Sequence, residues 1–409
     1  MNIVFVNPEY PSRSGHDHGG IATYTYTMAN ALARQGNTVH VVAKSGTVPD
    51  LLEAGVRLHT IDHEPARRPF PWLDNILKND CAWEQGYSCA ARNLVARLHA
   101  DEPVDCVEIP DYNGLGAEFT QPLPFPVVIH FHTPTYLIDS YNQQKVTGRK
   151  RRWYALEAKA LARATAFRSP SIALKKEVSR HYGIDEEKIM VIAHPVDTTP
   201  FDAIRRENGK KNVVDILFSG RLERRKGGEI LLRDTQRILS LDPRINITFT
   251  GELDMGEAGS YRSAIERSLS ESQRHRTWLL GPTKHQDLSV LYRRSDIFLM
   301  PSLFENAPYA LLEAMAAHLP VVAARTSGIT ELIRHDESGL LFDIDKQDSL
   351  LECIKSVVAA PQRAAACAEK AYAYVSDRHS PARIAHQSLE FYAAVGDSFR
   401  QGILSRSRH

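Results

Sequence analysis

The segment PSLFENAPYALLEAMA, Pro301 to Ala316, carries two carboxylates, Glu305 and Glu313, with seven residues between them. It follows an apolar run, Asp296 to Met300, that reads as a buried strand, so Glu305 falls in the loop at that strand's end. Asn306 is placed to cap the helix that follows, and Glu313 comes about two turns along it. Backbone N–H groups at such a loop and helix start attract an anion, while acidic side chains beside them accept hydrogen bonds from hydroxyls. The pair therefore suits a sugar joined to a phosphate. Taken alone, the two glutamates are better explained by Glu305 capping its own turn and Glu313 as a solvated helix residue.

Further chemistry lies elsewhere. FSGRLERRKGGEILL, Phe218 to Leu232, concentrates Arg221, Arg224, Arg225 and Lys226 in a glycine-containing loop after another apolar run. Fixed cations there stabilise the charge that a departing diphosphate develops; a solvated basic loop is the alternative. In VVIHFHTPTY, His130 and His132 alternate at the end of an apolar strand and share one face of its sheet. Without a neighbouring carboxylate the two are an incomplete metal set. His16 and His18 form a second pair in a glycine loop, where contact with an acceptor is one reading. Asp343 and Asp345 make a D-x-D, which in the context ESGLLFDIDKQDSL reads as a turn. Gly148 to Trp153, GRKRRW, precedes a helical stretch from Tyr154 and could meet an anionic lipid surface or stand as a solvated helix start.

The elements that must position these groups follow an alternating order. Asn2 to Asn7 is a strand-like run, followed by Gly15, Gly19 and Gly20, then a helical stretch from Ile21 to Gln35 and a second strand at Thr38 to Ala43. Strand patterns return at Val104 to Ile109 and Pro126 to Phe131, and a second series runs from Val213 to Ser219 through Ile245 to Thr250, Thr277 to Leu280 and Pro320 to Ala324. Runs this apolar are covered on both faces, which predicts two doubly wound α/β domains. Pro195 to Asn212 reads as the linker, with the boundary near Asp197 to Asn208. Ser380 and Pro381 open a last helix with an apolar stripe of Ile384, Phe391 and Val395, and Gln401 to His409 is a polar tail.

The bulk numbers exclude several classes. Fifty basic against forty-nine acidic residues leave a net charge of +1, so no global field favours nucleic acid or an anionic membrane. Cys81, Cys89, Cys106, Cys353 and Cys367 lack the close spacing of zinc or redox pairs and read as reduced structural thiols. The chain's first residues do not have a signal-peptide pattern and there is no apolar run of about eighteen residues, which points to the cytoplasm.

With these residues on the page, Pro301 to Ala316 resembles the glutamate-x7-glutamate motif of retaining GT-B glycosyltransferases, particularly glycosyltransferase family 4. Arg221 and Lys226 match that family's diphosphate-gripping arginine and lysine, and Gly19 to Ala43 is similar to its first glycine loop. The resemblance implies the GT-B fold, two Rossmann-like domains facing a central cleft, at 1–196 and 197–379, with 380–409 returning towards the first. It implies that Arg221 and Lys226, with Gly19 and Gly20, hold the diphosphate of a nucleotide sugar. Glu313 would bind the ribose, and Glu305, with Asn306, Ala307 and Tyr309, the donor sugar. His132 aligns with the family's active-site histidine, supported by His130. Retaining front-face transfer, water excluded by domain closure, follows from the same resemblance.

No cofactor or metal is expected beyond a nucleotide-sugar donor, UDP-sugar ahead of GDP-sugar. The acceptor would be a glycan, a lipid-linked glycan or a small molecule, with peripheral contact at the inner membrane face as a further expectation and no nucleic acid. Pro308, His318, His194 and Pro195 depart from the family's pattern: Pro308 removes one N–H donor, and His318 replaces a helix-ending glycine. A sugar-nucleotide epimerase, a phosphorylase and a noncatalytic nucleotide-sugar sensor remain as rival readings, since a fold alone does not separate them.

Overall fold

The computed structural model describes residues 1–11, 19–47, 53–62, 81–119, 122–202, 213–253 and 261–406. His16 and His18 lie outside the described residues. The chain divides into two compact units, one built from Met1–Pro195 with Pro381–His409, the other from Val196–Ser380.

The first unit holds a seven-stranded parallel sheet in the order β3-β2-β1-β4-β5-β6-β7. Its strands are β1 (Asn2–Val6), β2 (Thr38–Lys44), β3 (Val56–Ile61), β4 (Cys106–Pro110), β5 (Val127–His130), β6 (Ala166–Ser169) and β7 (Ile189–Val191). Every residue of β1, β4 and β5 is buried, as central strands covered on both faces require, whereas the edge strand β3 has solvent-facing positions. The order reverses between β1 and β4. Ligands of open α/β sheets bind beyond the carboxyl ends of the strands at such a reversal.

The second unit repeats the plan with six parallel strands in the order β10-β9-β8-β11-β12-β13. These are β8 (Val214–Ser219), β9 (Ile245–Thr250), β10 (Thr277–Leu279), β11 (Ile297–Met300), β12 (Val321–Ala324) and β13 (Leu340–Phe342). Successive residues of β8 serve opposite faces: Ile216 and Phe218 join one apolar cluster, and Leu217 joins the other. The helix Gly228–Leu239 covers the first face with Ile230, Leu231, Ile238 and Leu239, each side chain worth about 1.5–3 kcal/mol on burial. Here the reversal lies between β8 and β11, the strands that lead into the basic loop and the Glu305 loop.

The proposed linker is packed in its first part. Val196 and Phe201 lie in the second unit's core, and Val196 N–H donates to the carbonyl of His379 at 2.8 Å. The helix Pro381–Arg406 belongs to the first unit and buries Ile384, Ala385, Ser388, Tyr392 and Val395. Phe391, expected in its apolar stripe, is only half-buried; the fully buried aromatic is Tyr392. GRKRRW also sits differently from expectation, because the helix starts at Gly148 and contains the run, with Thr147 as its cap. Asp139 and Gln144 engage Lys150, so the helix start is tied to its neighbours.

Candidate active site

In the second unit, the loop after β8 and the loop after β11 are pressed together at the sheet reversal. Leu303 N–H donates to the Arg225 carbonyl at 2.8 Å. Gly227 has φ 88°, and a Cβ there would stand 2.3 Å from the Pro301 carbonyl oxygen, so only glycine permits this approach. The short helical turn Arg224–Lys226 thus lies against the strand end that carries Glu305.

Lys226 Nζ meets Glu305 Oε1 at 2.6 Å. Behind them Arg225 is buried, donating to Glu223 Oε1 at 2.7 Å and to the Phe304 carbonyl at 3.3 Å, with Glu305 Oε2 3.8 Å away. Burial pushes the Glu305 carboxyl up, but Lys226 and Arg225 outweigh it and hold the group below its ordinary value. Burial lowers the Lys226 ammonium, and Glu305 offsets part of that. Arg221 stands further out, 40% exposed and 3.8 Å from Glu223. Among these charges Arg221 and Lys226 are the ones that retain solvent access, at 40% and 21% of their side chains.

The Glu305 loop is fixed from behind by residues that sequence reading missed. Ser327 Oγ accepts from Glu305 N–H at 3.0 Å and donates to the Glu305 carbonyl at 2.8 Å. Gly328 N–H reaches the same carbonyl, and a Cβ on Gly328 would collide with the Asn306 carbonyl at 1.8 Å. Asn306 does not cap the helix: Pro308 occupies that position without a side-chain bond, and the helix runs Tyr309–Ala316. Instead Asn306 Oδ1 accepts from Ala307 N–H at 2.6 Å, because the residue sits two positions too early to reach the helix. Tyr309 heads the helix, where N–H groups have no intrahelical partner. Glu313 is buried and accepts from the Tyr292 hydroxyl at 3.0 Å, so it is not a solvated helix residue.

His318 is left-handed at φ 52°; its ring stacks on Tyr372 and its Nδ1 lies 2.8 Å from Glu369, contacts that hold the strained backbone. Asp343 pairs with Arg325 and Lys346, consistent with a turn.

In the first unit, His130 and His132 are joined by His194, which no spacing along the chain places beside them. The ring centroids of His130 and His132 are 4.2 Å apart, and each lies 5.4 Å from that of His194. Tyr24 packs its edge against His130 at 4.4 Å. Burial, then Arg168 and His194, holds His130 well below its ordinary value; burial and then His130 do the same for His132. Both therefore stand as neutral imidazoles. His132 N–H is held by Asp111 Oδ1 at 2.9 Å, and His130 Nδ1 lies 3.1 Å from Glu108 Oε1.

Glu108 is the hinge of a buried polar network. Arg168 Nη1 pairs with its Oε2 at 3.1 Å, and the hydroxyls of Tyr24 and Tyr392 donate to it at 2.6 and 2.5 Å. Tyr392 and Ser388, which also meets Arg168 at 3.2 Å, come from the last helix. Gly19 and Gly20 stand where the helix Gly20–Arg34 begins, exposed, with Glu9 Oε2 3.1 Å from where a Gly19 Cβ would be. Beside them, at the first sheet's reversal, Asn7, Glu9, Lys44, Trp83, Tyr112 and Asn113 line a pocket.

None of the five cysteines forms a disulfide. Among the described residues no helix is long and apolar enough to cross a membrane.

The arrangement has known counterparts. Residues 18–200 match the model of Glycosyltransferase Family 4, and residues 200–374 match that of Glycosyl transferases group 1. An uncharacterized glycosyltransferase of Methanocaldococcus jannaschii is 25% identical over 86% of this chain and 87% of its own. A D-inositol 3-phosphate glycosyltransferase of Arthrobacter is 25% identical over 94% of this chain and 92% of its own. Sucrose-phosphate synthase from Thermosynechococcus elongatus superposes with a TM-score of 0.74 at 20% identity, over 97% of this chain and 100% of that one. HepE from Anabaena, solved with UDP and glucose, gives a TM-score of 0.68 at 19% identity, over 96% and 99%. The chain belongs to the group 1 and family 4 glycosyltransferases, with the two-domain GT-B fold. Glycosyl transfer from a nucleotide sugar is the activity this membership supports.

Proposed function

We infer that the chain is a retaining hexosyltransferase that moves a sugar from a nucleoside-diphosphate sugar to a hydroxyl acceptor. One observation carries the reading: Lys226 and Glu305 are paired at 2.6 Å at the sheet reversal of the second unit, with Arg221 exposed beside them. A sugar diphosphate presents the two chemistries this cluster can meet, an anion for the cations and hydroxyls for the carboxylate. Arg221 and Lys226 are assigned to the diphosphate, with Gly19 and Gly20 approaching it by backbone N–H groups. Glu313, steadied by Tyr292, is assigned to the ribose. Glu305 takes the donor sugar together with Asn306, Ala307 and Tyr309.

His132, as a neutral imidazole, can donate or accept a hydrogen bond at the sugar undergoing transfer without adding charge. In front-face transfer the acceptor hydroxyl replaces the diphosphate on the same side of the sugar, and the leaving phosphate takes the acceptor's proton. No protein nucleophile is needed, and the cations stabilise the charge that grows on the diphosphate. UDP is the favoured carrier, in line with the UDP bound to HepE of Anabaena, with GDP next. The pocket at Asn7, Lys44 and Trp83 is assigned to the acceptor, a glycan, a lipid-linked glycan or a small molecule; an aromatic face beside polar groups suits a sugar or polyol. Arg149, Arg151 and Arg152 are exposed and suit contact with an anionic inner membrane face. Neutralising them should weaken vesicle binding, and unchanged binding would remove that part of the reading.

The test is a thermal-shift panel of UDP-, GDP- and ADP-sugars, since a ligand that binds only the folded chain raises its melting temperature. A shift with UDP-sugars, followed by product of retained anomeric configuration, is the expected outcome. Product of inverted configuration would overturn the front-face mechanism.

A further inference from the structure

We propose that His130, His132 and His194 form a binding site for a divalent ion of the zinc class, and that this ion acts as an inhibitor by occupying His132. Among the described residues this is the one set of three His, Cys, Asp or Glu side chains whose ligating atoms converge, all within 4.8 Å of one another. All three are buried. Sequence reading found an incomplete pair; folding supplies the third imidazole from the segment after β7.

A second observation points to a ligand. His130 Nε2 is buried without a hydrogen-bond partner among the described residues, while its Nδ1 faces Glu108 at 3.1 Å. A carboxylate that accepts a hydrogen bond from Nδ1–H keeps the proton on that nitrogen and leaves the Nε2 lone pair for an ion, the arrangement that commonly orients zinc-bound histidines. An orphaned buried nitrogen is costly, and coordination would recover that cost. Three imidazoles and no oxygen ligand select Zn²⁺, Ni²⁺ or Cu²⁺ over Mg²⁺ and Mn²⁺. Zinc–nitrogen bonds of about 2.0–2.1 Å bring the ligating atoms closer together than 4.8 Å, so the rings must turn inward on binding. Arg168 already offsets the charge of Glu108, so the ion's charge falls to a fourth ligand, water-derived or anionic, at the position three histidines leave open.

The experiment titrates the full-length protein with Co²⁺, followed by its d–d absorption, and then displaces it with Zn²⁺. The expected result is one ion per chain, no thiolate charge-transfer band despite five cysteines, and affinity lowered at least tenfold in His194→Gln and His130→Gln. His40→Gln, at a histidine pair elsewhere in the unit, should bind as the wild type does. Should either variant fail to fold, zinc-edge X-ray absorption of the wild-type protein decides: a signature of three imidazoles supports the site. No saturable binding, a sulfur signature, or undiminished binding in a folded His194→Gln would overturn it. Inhibition rests on the transferase reading, whereas binding does not. Stoichiometric Zn²⁺ should abolish transfer, with Mg²⁺ ineffective and a chelator restoring activity. Full turnover with the ion bound would refute the inhibitory half and the role of His132, and leave the binding site standing.

Discussion

The two units place charge in opposite ways beyond the reversals of their sheets. In the second, Glu305 and Lys226 meet where a basic loop and a strand end touch, and Lys226 and Arg221 keep part of their surface in solvent. A ligand can re-pair those cations without the core opening. In the first, Glu108 and Arg168 are sealed, at 2% and 0% side-chain exposure, and the groups above them are neutral histidines. One cluster is built to exchange partners and the other to keep them. A buried ion pair is weak evidence of net stability, but removing one member is expensive because the other stays uncompensated.

The comparison breaks most visibly at Arg168. Arg168→Met should lower unfolding free energy by about 3–5 kcal/mol in urea titration. A loss below about 1 kcal/mol would place the pair among solvated ones.

Glu305→Ala is the converse case. Turnover should fall about 100-fold or more, equivalent to roughly 2.7 kcal/mol of transition-state stabilisation, while the melting temperature stays near wild type. Unchanged turnover in the folded variant would remove Glu305 from the reaction. Gly227→Ala sharpens the same point. It leaves every charge in place yet must push the Lys226 loop from Pro301, so donor affinity and stability should fall together, the latter by about 1–3 kcal/mol.

The smallest expected effect concerns acid. His40 Nδ1 and His59 Nε2 lie 2.8 Å apart, and burial first, then His59 and Arg57, hold His40 down at about 4. Its stability contribution is complete above the ordinary histidine value of 6.5. It is lost as pH falls from there towards 4, since the unfolded chain then takes a proton that the folded chain refuses. The melting temperature of His40→Gln should fall less between pH 7 and pH 5 than that of the wild type; an identical slope would show that the pair does not titrate this way.

How much of this was legible in the sequence depended on distance along the chain. Central strands such as β1 and β11, which are nearly continuous apolar runs, and β8, with Ile216 to Phe218 at its centre, read directly. The short strands β3, β6 and β13 did not, since β3 is an edge with exposed positions and β6 carries Arg168 and Ser169. Glu305, Glu313, Arg221 and Lys226 were legible because each sits in a compact local pattern. Their supports were not. Ser327 and Gly328 fix Glu305 from 22 residues or more away, and Arg225 was indistinguishable from its basic neighbours until its burial was seen. The network of Tyr24, Glu108, Arg168 and Tyr392 spans separations of up to 284 residues, and no spacing rule joins such positions. His194 joins His130 and His132 for the same reason, through the β5-β6-β7 order of the sheet.

The second unit's charge cluster is proposed to hold a nucleoside diphosphate. Isothermal titration calorimetry of UDP and GDP against the wild type and the Arg221→Ala, Lys226→Ala double variant tests it directly. Saturable heat in the wild type, with affinity at least tenfold weaker in the folded double variant, is the predicted result; a tenfold loss corresponds to about 1.4 kcal/mol. Equal affinity in both proteins would contradict the assignment of the cluster.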